Sequence, residues 1–185
     1  MANPDTQRNL QAARRSGAQL ALQSKSSVPV FSSPLPTNGS KRSKPVMASD
    51  QDLYHELAFY TLAHSDPSFL HQHIVDAYAA QHADENTKPI VIVFALVGLY
   101  LHLEKNLTGR QVQRFHMKLA KIRRQWVKPE PPKERGAITV QHVLAAAEGP
   151  SRDALIDRWC ASVWEAWNES HDDIANLARI ELGIL

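Results

Sequence analysis

The chain has 185 residues, 43% of them hydrophobic and 22% charged, with a formal net charge of +2. That is long enough for one domain with a sizeable core, and the apolar content excludes a wholly disordered chain. A single cysteine, Cys160, excludes an intramolecular disulfide and suits a reducing, cytoplasmic compartment.

The net charge hides an asymmetry. Residues 1–46 hold seven Lys/Arg against Asp5 alone, a net +6, and the remainder carries 14 basic against 18 acidic residues, a net −4. The first 46 residues are rich in Ser, Pro, Gln and Asn and have no apolar periodicity. Such a segment cannot bury enough surface to offset its ordering entropy, so a disordered tail is expected there. It has three readings: an extension upstream of a true start at Met47, an Arg- and Ser-rich targeting segment, or a basic arm for acidic surfaces.

From Met47 onward the pattern is helical. Ser49 and Asp52 form a capping box for a first helix reaching His64. Asp66 is a good N-cap and Pro67 a tolerated first-turn residue for a second helix reaching about His82. Thr87 is placed to cap a third, from Pro89 to about Asn106. Its apolar run Pro89–Leu101 is thirteen residues, whereas a membrane-spanning helix needs about 20. A central buried helix is the better reading, with no membrane insertion.

Thr108 and Gln111 form a second capping box, with Leu107 and Val112 as a hydrophobic staple, and the helical period continues to about Trp126. The connector Lys128–Arg135 (KPEPPKER) cannot be helical. Thr139 caps a short helix ending at Gly149. Pro150 opens a long helix to about Glu169, and Ser170 a last one ending before Gly183. No period-two run of strand length appears. The expected fold is an all-α, single-domain bundle of six to seven helices over residues 47–185.

The segment His71–His82, HQHIVDAYAAQH, carries the clearest sign of chemistry. It concentrates ligand-capable side chains in one short helix. Short loops between the first three helices imply antiparallel neighbours. That register puts His64, His71 or His73, and His102 at one end of the bundle, with His82, Tyr54 and His55 at the other. His73 and Asp76 are three apart and can converge on one group. A divalent metal would need a third ligand from His64 or His102. Asp76 is expected to be buried, with His73, Tyr100 or Arg114 as partner. Three readings stay open: a metal site, a small-molecule pocket, or a polar core network satisfied without ligand. No H-E-x-x-H, E-x-x-H, paired CxxC, phosphate loop or nucleophile elbow occurs.

Between Lys105 and Lys128 the chain is basic and free of acid, with Arg110, Arg114, Lys118 and Lys121 expected on one helix face. A nucleic acid or another polyanion could dock there. The favoured reading is a solvated face complemented by the acidic segment 148–185, which carries a net −5. Trp159, Val163 and Trp167 form a stripe best read as core, with Cys160 an inert packing residue. Oligomeric state stays open.

Taken together, His71, Asp76-Ala77-Tyr78 and Gln81-His82, followed by an apolar helix ending Leu103-Glu104-Lys105, resemble a bacterial domain-of-unknown-function family of the 5946 type. The shared motif is DAYxxQH, and the resemblance spans roughly Leu53 to Trp126. It implies that His71, Asp76, Tyr78, Gln81 and His82 occupy motif positions. Several relatives open with a CPGC-like pair able to hold zinc, and this chain lacks those cysteines. The family brings no activity to transfer, so a reaction, if there is one, is left undefined.

Overall fold

The computed structural model describes residues 48–64 and 66–184, so the basic tail lies outside the described residues. Among the described residues there are seven α-helices and no strand. They are α1 (Asp50–Ala63), α2 (Leu70–Gln81), α3 (Pro89–Leu103), α4 (Gly109–Leu119), α5 (Val140–Ala145), α6 (Pro150–Ala166) and α7 (His171–Leu182). Among the described residues no helix is long and apolar enough to cross a membrane.

Local chemistry sets several ends. Ser49 caps α1, its backbone N–H returned by the Asp52 carboxylate at 3.1 Å. The Thr108–Gln111 box caps α4 in the same reciprocal way. Gly183, at φ 68°, closes α7 in the left-handed conformation that glycine adopts without a Cβ clash.

Other ends depart from the sequence reading. The second helix begins at Leu70, three residues later than Pro67. Asp66 still does a cap's work, its carboxylate accepting from Ser68 N at 2.8 Å and Leu70 N at 2.7 Å. The turn between them holds Phe69 at φ 62°, a strained value for a bulky residue. Thr87 does not cap α3. Its hydroxyl closes the preceding turn on Asp84, and Lys88 is the N-cap without a side-chain bond. The largest correction is in α4, which stops at Leu119 rather than near Trp126. The apolar spacing Ile122–Trp126 also suits an extended chain, where residues four apart share a side. Outside the helix, the segment still lays Ile122 and Trp126 against the core, Trp126 edge-on to Phe94 with ring centroids 6.0 Å apart.

α3 forms the spine. Ile92, Val93 and every residue from Ala95 to Leu101 are buried. α2 packs mainly on α3 and α6, and also touches α4 and α1, so it lies between four neighbours. That position explains how so polar a helix comes to bury His73, Asp76 and Gln81. The Trp stripe is core: Trp159 and Trp167 are fully buried. Trp159 Nε1 donates to Gln81 Oε1 at 2.9 Å, and Trp167 Nε1 to the Ala80 carbonyl at 3.3 Å.

Candidate functional site

α2 presents different residues to different neighbours. Toward α3 and α6 it turns His73, whose ring stacks on His102 with centroids 3.6 Å apart. His102 Nε2 lies 3.2 Å from Asp157 on α6. His73 Nδ1 is buried without a partner. Burial, then the neighbouring His102, depress its pKa to about 3, while Asp157 and Asp66 pull weakly the other way. His73 is therefore a neutral imidazole at neutral pH.

Two other candidates are held elsewhere. His71 Nδ1 lies 3.0 Å from the Thr61 hydroxyl, tying α2 to α1. His64 turns back on its own helix, Nδ1 at 2.9 Å from the Tyr60 carbonyl and its ring on Tyr60. Among the described residues no group of three or more His, Cys, Asp and Glu side chains is placed to hold a metal ion.

The remaining motif positions separate into two jobs. Gln81 is a staple. Besides accepting from Trp159, its amide donates to the Arg135 carbonyl at 3.0 Å and the Ile138 carbonyl at 2.8 Å. It thereby pins the proline-rich connector to the core. Tyr78 and His82 belong to a partly exposed ring column, Tyr54 on Tyr78 at 4.1 Å and Tyr78 on His82 at 4.0 Å. His82 Nε2 ends the column 3.5 Å from Asp50.

Asp76 faces the third side, toward α3 and α4. It is 3% exposed. Its partner is not His73, Tyr100 or Arg114, as the sequence reading expects, but Gln72 one turn earlier. Gln72 Nε2 donates to Asp76 Oδ1 at 3.1 Å and lies 3.3 Å from His116 Nδ1 on α4. The carboxyl group occupies a notch that exists because residue 98 is glycine: a Cβ there would sit 2.0 Å from Asp76 Oδ2. Oδ2 itself is buried without a hydrogen-bond partner. Native interiors leave few such groups unpaired.

These three polar residues line one side of a pocket of about 310 Å³ between α2, α3 and α4. Its other walls are apolar, from Val75, Ala79, Ile90, Val91, Phe94 and Ala95. Burial pushes the Asp76 carboxyl well above the usual carboxylate range, and the Gln72 bond only partly offsets this. Burial also lowers His116 to about 4, and a hydrogen bond with the Phe94 backbone acts in the opposite sense. His116 is thus uncharged at neutral pH, and Asp76 holds its proton to higher pH than an exposed carboxylate. A wider groove of about 540 Å³ lies between α7 and the connector, with Arg124 paired to Glu181 on its wall. It holds none of the buried unpaired side-chain atoms.

Sequence reasoning missed Gln72, Gly98 and His116. His116 had a signal: it falls one turn after Val112 and three residues before Leu119, on the inward side of α4. Set within a basic stretch, it reads as part of the charged face.

Of that face, Arg110, Arg114 and Lys118 lie on α4, all exposed, whereas Lys121 falls beyond the helix end. Arg110 lies over the Phe69 ring and Lys118 over Phe115. The pairing with the acidic segment appears at Arg124, which meets Glu181 on α7.

Comparison with known proteins places the chain. The model of a family of unknown function, DUF5946, matches residues 43–168. The chain belongs to that family. No curated protein and no solved structure matches it.

Proposed function

We propose that this domain binds a small molecule in the pocket formed by Gln72, Asp76 and His116. The observation that carries the reading is the buried, unpartnered carboxyl oxygen Oδ2 of Asp76, a residue that lines an otherwise apolar cavity. A polar network built only to hold the fold would pair its members, because each unpaired buried group costs about 1–3 kcal/mol. A pocket of this size with a few convergent polar groups is the usual form of a ligand site. The small-ligand reading is preferred over the metal reading because His73 and Asp76 engage different neighbours, His102 and Gln72. The buried lone thiol of Cys160 suits a cytoplasmic protein.

The test is ligand-observed NMR with a set of uncharged aromatic fragments, on the natural protein and on Ala79→Phe, which plugs the cavity. Fragments that bind the first and not the second support the reading. No binding, or binding indifferent to the plug, contradicts it.

A further inference from the structure

The wider groove between α7 and the proline-rich connector shares no lining residue with the pocket of α2, α3 and α4. We infer that this groove is a docking site for a basic amphipathic helix of a partner protein.

Its walls are apolar where water would be expected. Val127 on the connector is 80% exposed and Ile180 on α7 is 63% exposed, and both line the groove. Single exposed apolar side chains are ordinary. These two flank a floor that includes Val93, Ile174 and Leu177, so together they make a continuous apolar trough. The trough follows one face of α7, where Asp173, Ile174, Leu177, Ile180 and Glu181 recur at helical spacing. From Ser170 to Glu181 it runs about 16 Å, the length of about three helical turns.

The rim is acidic. Glu130 stands on the connector, and Glu169 and Asp173 stand at the start of α7, all three exposed. Among the described residues no cation pairs with any of them. Both cations of the lining are engaged elsewhere. Arg124 pairs with Glu181, and the Lys128 ammonium donates to the Glu85 carbonyl. The dipole of α7 favours an acid at Asp173 but gives no reason for Glu130 on the connector. A helix with apolar residues at i, i+4 and i+7 and Lys or Arg beside them complements such a trough, burying its stripe and placing positive charge against the rim. An acidic helix would meet repulsion there.

The experiment adds a fluorescein-labelled leucine/lysine peptide, about four helical turns long with leucines on one face, to the full chain at low salt. Anisotropy reads affinity, and the methyl resonances of Val127, Leu177 and Ile180 read location. These methyls should move. Ile180→Ser should weaken binding about ten-fold. Glu130→Gln combined with Asp173→Asn should weaken it about three-fold or more and flatten its dependence on salt. All three replaced side chains are exposed, and circular dichroism checks that the fold is kept. A peptide with glutamate in place of lysine should not bind. Four results overturn the inference. One is the absence of binding to the full chain. Another is equal binding of the glutamate peptide. A third is binding that ignores Ile180→Ser or moves other methyls, which marks a general attraction to acidic surface. The last is a dimer in sedimentation that Ile180→Ser splits, which gives the groove to a second copy of the chain.

Discussion

Gly98 and Asp76 are fitted to each other across the α2–α3 interface. A methyl group on Gly98 would lie 2.0 Å from Asp76 Oδ2 and 2.4 Å from Cγ. Glycine in mid-helix costs about 1 kcal/mol relative to alanine, yet here it stands in the most apolar helix of the chain. The carboxyl group needs that vacancy.

The fit gives a double-mutant cycle. Gly98→Ala alone should destabilise the fold by about 1–3 kcal/mol, because overpacking outweighs the gain in helix propensity. In an Asp76→Ala background the same change should cost far less, since the colliding atoms are gone. Urea unfolding of the four proteins measures the coupling, and additive effects would show that the two residues do not share the space.

Acid and base act on the pocket in opposite directions. Asp76 holds its proton above the usual carboxylate range in the folded state. As pH rises past about 4 the unfolded chain ionises first, binds fewer protons than the native state, and stability falls. Asp76→Asn removes this term, so its stability relative to the natural protein should improve as pH rises from about 4 toward neutrality. A constant difference across that range would contradict the buried, neutral acid.

The histidines work the other way. His73 and His116 have pKa values lowered to about 3 and about 4. Below about 6.5 the unfolded chain takes up protons that the native imidazoles refuse, so stability present above that pH is lost as pH falls toward the folded values. In His116→Phe the acid limb of the stability curve, from pH 6.5 down to 4, should be shallower by roughly one proton's worth of slope. An unchanged limb would mean that His116 titrates normally.

Within the shared motif, Gln81 and His82 should respond very differently. Gln81→Leu leaves the Trp159 N–H and the Arg135 and Ile138 carbonyls without their partner. A loss of about 2–4 kcal/mol is expected, with faster proteolysis of the connector around residues 128–138. His82→Ala sits at the exposed end of the ring column and should cost less than about 1 kcal/mol. Equal losses at the two positions would refute the division between staple and surface column.

Most of the fold is legible in the sequence because its signals are local. The capping boxes at Ser49 and Thr108, the apolar run of α3 and the terminal Gly183 each act within a few residues. The antiparallel register follows from short loops, and it brings His73 to His102. What could not be read depends on packing between distant segments. The continued spacing of Ile122 and Trp126 fits helix and extended chain alike, and only the contact with Phe94 decides between them. The pocket is harder still. Gln72 and Asp76 are one turn apart on α2, but Gly98 lies in the next helix and His116 in the one after. Nothing in the spacing of 72, 76, 98 and 116 announces that they meet.

The central claim concerns the state of one ring, and a long-range ¹H–¹⁵N spectrum of the histidine imidazoles at pH 7 reads it. His116 should appear as a neutral ring, because burial lowers its pKa to about 4, and its resonances should move on addition of an aromatic fragment that Ala79→Phe excludes. A His116 that is protonated at pH 7, or whose ring is untouched by every fragment at millimolar concentration, would contradict a pocket built to receive a ligand beside it.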